Sequence, residues 1–317
     1  MKTRAWVALV AVYIVWGSTY LAIRFAVETI PPFLTAGIRF LVAGSILYIW
    51  QRINGVPAPK RVEWRSATVI GLLLLLGGNG LLNWAETRIP SGIASLFIAT
   101  VPLWMVVIDA IRPHGVRAKA IVWVGVLVGF AGTALLANPW QTHAGSPPLD
   151  LLGVGVLIFA ALSWSIGSLY SRNAPLPKAP LIGTAMEMLA GSAGLFILSG
   201  VVGEWGQIHL ASISMRSLGG LVYLIVFGSG IGFVAYTWLL RNAPTPLVST
   251  YAYVNPVVAI LLGSFIGHEP LETTEIISAM IIIGGVVLIT TAKSLNGKKS
   301  QPARSEQMPE IIEKGDT

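Results

Sequence analysis

Residues 84–102 read WAETRIPSGIASLFIATVP, and 154 positions further on residues 238–256 read WLLRNAPTPLVSTYAYVNP. Trp84, Pro90, Ser95 and Pro102 return as Trp238, Pro244, Ser249 and Pro256. The positions between them match conservatively, Ser91 with Thr245, Ile93 with Leu247, Ala94 with Val248 and Phe97 with Tyr251. Any two apolar helices look somewhat alike, but a tryptophan and two prolines held in register ask for more than composition supplies. The chain therefore reads as two copies of one module.

Composition says where such a chain must live. Of its 317 residues 54% are hydrophobic and 11% charged, and the mean hydropathy is +0.74. This is too apolar to present a water-facing surface and points to the lipid bilayer as solvent. The net charge of +7 does not signal nucleic acid, because the basic residues lie between long apolar runs with no aromatic interleaving. With no cysteine in the chain, disulfides, thiolate metal sites and cysteine nucleophiles drop out together. The start, Met1-Lys2-Thr3-Arg4 before an apolar run, resembles a signal peptide without a small-residue cleavage site and reads as an uncleaved first helix.

Ten apolar segments are long enough to cross a hydrocarbon core of about 30 Å as helices: 5–25, 33–50, 67–85, 91–111, 118–137, 151–170, 179–203, 218–240, 245–267 and 273–292. With the N-terminus in the cytoplasm, seventeen of the 21 lysines and arginines fall on the inner side. Arg24, Arg88 and Arg216 fall outside or near that boundary, Arg39 lies within a span, and Glu204, Glu269, Glu272 and Glu275 are all outside. Both termini are expected in the cytoplasm. Five spans per copy is an odd number, so the second copy enters from the opposite face. The expected fold is an all-α integral membrane protein of ten transmembrane helices in two inverted five-helix repeats, 5–137 and 150–292, joined by an external linker at 138–149 and followed by a disordered cytoplasmic tail at 293–317. Inverted repeats are a known route to alternating access around a midplane site.

Several residues are candidates for that site. Pro102 and Pro256 lie mid-span and deprive the carbonyls of Ile98 and Ala252 of a helical partner, so they read either as symmetry-related hinges or as static kinks. Arg39 and Glu187, 148 residues apart, occupy equivalent positions of the two copies, where a charge is expensive and usually functional. Arg39 either snorkels or faces a cavity. Glu187 either meets a cationic group, titrates as a coupling site, or is satisfied by neighbouring hydroxyls. Trp16 with Ser18 and Thr19, and Trp164 with Ser168, put an aromatic beside small hydroxyl residues, as a cavity wall or a close helix contact would. Asn83, Tyr251 and Asn255 extend the polar set, while Trp84 and Glu86 read as interfacial anchors. Gly125, Gly129 and Gly132, with Gly284 and Gly285, form small-residue faces for packing within the fold or between protomers.

Enzymatic readings have little support: His114, His143, His209 and His268 show no paired metal-ligand spacing, and no phosphate-binding Gly-Lys-Ser/Thr loop occurs. No catalytic residue, metal ligand or cofactor is expected, and a pore motif is not visible either.

The combination Val15-Trp16-Gly17-Ser18-Thr19-Tyr20, the Pro31-Pro32 connection toward Arg39, Pro90-Ser91-Gly92-Ile93-Ala94-Ser95 and Tyr251-Ala252-Tyr253-Val254-Asn255-Pro256 resembles the EamA family of the drug/metabolite transporter superfamily over residues 5 to 292. The resemblance implies a secondary transporter of the bacterial inner membrane that exports small metabolites such as amino acids, toxic analogues or drugs. Its partners would be a small-molecule substrate and the lipid bilayer, with no nucleic acid, and it would act as a monomer or homodimer. By the same resemblance the first four helices of each half line a cavity, which places Trp16, Ser18, Thr19, Arg39, Asn83, Trp164, Ser168, Glu187, Tyr251 and Asn255 around the substrate. The chain departs at Thr19, where many family members carry asparagine. A non-transporting scaffold and a lipid flippase are the alternatives from other classes.

Overall fold

In the computed structural model, the structure describes residues 3–112, 119–136, 150–243, 248 and 250–299, and these are helical with no strand among them. Helices are what an apolar chain in lipid has available, since every backbone polar group must be satisfied within its own segment. They are α1 (Thr3–Ala26), α2 (Pro32–Ile53), α3 (Arg61–Ala85), α4 (Ser91–Ile111), α5 (Ala120–Leu136), α6 (Leu151–Ser171) and α7 (Pro180–Val201). Then come α8 (consecutive segments Met215–Tyr223, Leu224–Ile231 and Gly232–Asn242), α9 (Tyr251–Phe265) and α10 (Thr273–Lys299). Seven are long and apolar enough to cross a membrane, namely α1 to α4, α6, α7 and α8. The regions of α5, α9 and α10 are apolar but shorter. The helix from Thr273 continues to Lys299, past the boundary expected at 292. The expected linker at 138–149 and the residues beyond 299 lie outside the described residues.

The helices begin where proline allows. Pro32 and Pro180 occupy the first turns of α2 and α7, where the missing amide hydrogen would have had no partner anyway. Asp150 caps α6 by accepting from Leu152 N and Gly153 N at 2.9 and 3.3 Å. Arg88 donates to the same carboxyl at 2.8 Å and holds it below the usual carboxylate range.

Two local departures matter for function. In α4 the helix stops at Ile98 and restarts at Val101, and Pro102 sits in the first turn of the second piece. The fourth span is thus a broken helix, with Pro102 starting its second piece. Pro256 lies inside α9 and is buried, so the two prolines, expected as matched kinks, occupy different local structures. The second departure is that α3 and α8 each widen into a π-helical stretch, Leu72–Gly80 and Leu224–Ile231. Such i→i+5 stretches are uncommon and concentrate at functional positions.

Packing is reciprocal between the halves. α2 lies along α7, α5 along α10, α4 along α9; α1 meets α8 while α6 meets α3. Large side chains such as Trp6, Ile14, Ile46, Leu127, Ile197 and Phe265 are exposed, as they would be against lipid. The α5–α10 contact is backbone to backbone: a Cβ on Gly285 would lie 2.7 Å from Gly125 O and 2.7 Å from Gly129 N, and one on Gly132 would lie 2.8 Å from Ile281 Cγ2. The small-residue face therefore packs within the chain, while Gly284 meets open space. At Gly129 the obstacle is only the end of Leu103, 2.5 Å from the added Cβ. Leu103 is itself fully buried and must shift within its cluster, so Gly129→Ala is expected to lower stability by about 1–3 kcal/mol, read as a drop in the unfolding midpoint in detergent.

Candidate functional site

The π stretch of α8 organises one cluster. Widening the turn frees carbonyls from their usual partners, and Trp16 of α1 donates its indole N–H to Gly228 O at 3.2 Å. The indole sits in an aromatic nest, with ring centroids 5.3, 4.9 and 5.2 Å from Phe233, Tyr236 and Tyr251. Gly232 makes this approach possible, because a Cβ there would lie 2.4 Å from Trp16 Nε1. Next to it, Ser18 Oγ meets Tyr223 OH at 2.7 Å and also donates to Val15 O. Thr19 donates to Trp16 O at 2.6 Å. Arg39, 3% exposed, reaches from α2 to donate Nε–H to Ser229 Oγ at 2.8 Å, while its Nη1 has no hydrogen-bond partner among the described residues.

The π stretch of α3 has a counterpart. Trp164 of α6 lies against Gly78, where a Cβ would fall 2.7 Å from its Cε3. Its neighbour Ser163 donates to the π-stretch carbonyl of Leu73 at 2.8 Å. Trp16 and Trp164 match in the sequence repeat, and so do Gly78 and Gly232. Each half thus lays the tryptophan of its first helix on a glycine in or beside the π stretch of the other half's third helix. The tryptophans were legible as candidates; the π stretches were not, because their hydrophobic runs give no sign of the i→i+5 pattern.

Of the expected site residues, Trp16, Ser18, Thr19, Arg39 and Tyr251 come together around α8. Trp164 gathers at α3 instead, with Ser168 one turn further along α6. Half-buried Glu187 lies on α7 where its backbone carbonyl abuts Gly71. Asn255 is buried on α9, and its Oδ1 has no hydrogen-bond partner among the described residues. Asn83, fully buried, donates weakly to Pro32 O at 3.4 Å, and its Oδ1 has no partner among the described residues.

At one end of the bundle three carboxylates do work that sequence did not disclose. Pro31 and Pro90 stand at the N-caps of α2 and α4 and offer no side-chain cap, so the orphan N–H groups there need another acceptor. Glu204, from the short turn after α7, receives Phe33 N and Leu34 N at 3.1 and 2.9 Å and Ser199 Oγ at 2.8 Å. Glu269, after α9, receives Ser91 N at 2.8 Å, Ser91 Oγ at 3.0 Å and Gly92 N at 3.1 Å. Each carboxylate also sits at the positive end of a helix dipole. The third, Glu86, expected as an interfacial anchor, is instead fully buried, and neither carboxylate oxygen has a hydrogen-bond partner among the described residues.

A bundle of membrane-crossing helices whose polar and aromatic groups converge on two mirrored π stretches is a multi-pass membrane protein with its chemistry held inside. The chain belongs to the EamA-like transporter family, which it matches over residues 3–138 and 151–291. It is 40% identical over 292 residues, 91% of each chain, to the uncharacterized inner membrane transporter YedA of Escherichia coli K12. It is 22% identical to an uncharacterized transporter of Archaeoglobus fulgidus, covering 90% of this chain and 98% of that one. A WAT1-related chloroplastic protein of Arabidopsis thaliana is 24% identical over 90% of this chain and 69% of its own. One solved crystal structure superposes with a TM-score of 0.62 at 22% identity, covering 93% of this chain and 99% of the other, which speaks to the fold.

Proposed function

We infer that the protein is a secondary transporter of the bacterial inner membrane, exporting small polar or amphipathic metabolites, such as amino acids or toxic analogues, by alternating access. The observation that carries this reading is the reciprocal contact of Trp16 on Gly232 and Trp164 on Gly78. It is what two inverted five-helix repeats, each inserting its first helix against the other's third, would produce. The two family matches, 3–138 and 151–291, fall on the same halves. In this reading α1 to α10 all cross the membrane and both termini are cytoplasmic, following the distribution of lysine and arginine. In the same reading substrate meets Trp16, Ser18, Thr19, Arg39, Tyr251 and Asn255 around α1, α8 and α9, and Asn83, Trp164, Ser168 and Glu187 around α3, α6 and α7. The interruption of α4 before Pro102 and the proline within the continuous α9 at Pro256 let the two helices bend between states.

A lipid flippase would need a sideways opening with basic head-group ligands. The groove of about 430 Å³ between α1 and α8 is lined by Ala8, Val226, Gly230, Ile231, Val234, Ala235 and Trp238, with no cation among them. Flux into proteoliposomes across a panel of amino acids, purines and cationic drugs, with and without a pH gradient, tests the reading. Saturable, protein-dependent flux of at least one member is expected; none across the panel would favour the scaffold.

A further inference from the structure

Glu86 follows the last turn of α3 and is 0% exposed, yet neither carboxylate oxygen receives a hydrogen bond among the described residues. The groups that face it are few. From α1 come Tyr20 and Arg24, from α2 Arg39, and from the α9–α10 connection Glu269. Arg24 spends Nη1 on the backbone carbonyl of Glu86, and Arg39 spends Nε on Ser229. Among the described residues no ion pair reaches the Glu86 carboxylate, and Glu269, committed to Ser91 and Gly92, adds a like charge. Further along, Arg88 is engaged by Asp150. A carboxylate taken out of water with no donor of its own favours the neutral form. The two guanidiniums pull the other way, but without contact they do not replace its lost hydration.

The position makes this consequential. Glu86 lies in the end of the bundle where Glu204 and Glu269 fasten α2 and α4, and where Tyr20, Ile23, Ile93 and Phe97 share one apolar cluster. By the charge distribution this end faces outward, and it is closed here. We propose that Glu86 is a proton-binding site of the outer gate, taking a proton from the external water as the gate closes and returning it as the gate opens. The inference rests on the alternating-access reading above. The sign follows from the two environments. The closed state buries an undonated carboxyl and binds the proton tightly, whereas the open state hydrates it and lets it ionise as an ordinary carboxylate. Raising external pH through the interval between the two affinities therefore favours the open gate. No other reactant is needed: the O–H bond forms with a proton from water and breaks to return it.

The absence of cysteine from the chain provides a direct test that needs no substrate. Ala94 is fully buried in the same apolar cluster, so Ala94→Cys introduces a single thiol that a membrane-impermeant maleimide reaches only when this end opens. The labelling rate in right-side-out proteoliposomes is divided by that of the protein unfolded in detergent at the same pH, which removes the thiol's own ionisation. The normalised rate is expected to rise about tenfold between about pH 5 and pH 9, the change that a shift of one unit in affinity produces. In Glu86→Gln, permanently neutral, it is expected to stay flat at the low-pH value. A pH-independent rate in the otherwise unaltered protein, or an unchanged pH profile in Glu86→Gln, would overturn the proposal. Failure of the substrate panel with the pH response intact would strike the transport reading alone.

Discussion

Replacing Glu204 with alanine is expected to cause the largest loss of stability of any single carboxylate substitution in this protein, read as the midpoint of thermal unfolding in detergent. Its side chain is 4% exposed and holds three donors, Phe33 N, Leu34 N and Ser199 Oγ. Because Pro31 provides no cap for α2, removal leaves two backbone N–H groups in a buried place. Each unsatisfied buried donor costs about 1–3 kcal/mol, so the loss is expected to be about 3 kcal/mol or more, allowing for water that enters the gap. Glu204→Gln keeps one good acceptor oxygen and should fall between alanine and the parent. Glu269→Ala removes an equivalent set of bonds from Ser91 and Gly92, but Glu269 is half-exposed and its loss should be smaller. If Glu204→Ala and Glu269→Ala proved equal to a surface control such as Glu63→Ala, the carboxylates would not be what holds these helix starts.

These clamps show where sequence reasoning reached its limit. The charge distribution placed Glu204 and Glu269 at one end of the bundle, yet each acts on a helix start 170 residues or more away in the chain. Nothing local marks such a partnership: the signal is a pair of prolines at Pro31 and Pro90 that cannot cap, and the acceptor that compensates is known only once the fold brings it there. The same holds for Glu86. Its place one residue after an apolar run reads as interfacial, and only tertiary packing reveals a buried carboxyl without donors. By contrast, the all-helical class, the apolar spans and most helix bounds were legible, because proline placement and hydrophobic length are each fixed by local physics. The π stretches fall between these cases. Gly78 and Gly232 matched in the repeat, but their purpose, letting an indole lie on a widened turn, arises only from tertiary packing.

That purpose yields the prediction with the greatest consequence for activity. In Gly232→Ala the new methyl would begin 2.4 Å from Trp16 Nε1, closer than any real contact, and the indole is fixed between Phe233, Tyr236 and Tyr251. Overpacking of this kind costs about 1–3 kcal/mol, against a helix-propensity gain of about 0.8–1 kcal/mol for alanine over glycine. Gly228 O would also lose its donor. Gly284→Ala, where the added Cβ meets open space, isolates the propensity term and is expected to be neutral or slightly stabilising. Gly78→Ala meets the ring of Trp164 at 2.7 Å, and the carbonyl bond on that side comes from Ser163, so it should be milder. If the Trp16 contact is part of the moving interface, the initial rate of transport in Gly232→Ala should fall about tenfold or more, since about 1.4 kcal/mol on a barrier suffices for that. Trp16→Phe supplies the decisive control, because it removes the nitrogen nearest the new methyl. Combined with Gly232→Ala it should cost far less than the two changes separately, a coupling that appears only between residues in contact. Strict additivity in both stability and flux would mean that Gly232 is glycine for some reason other than Trp16, and would remove the reciprocal contact as the support for alternating access.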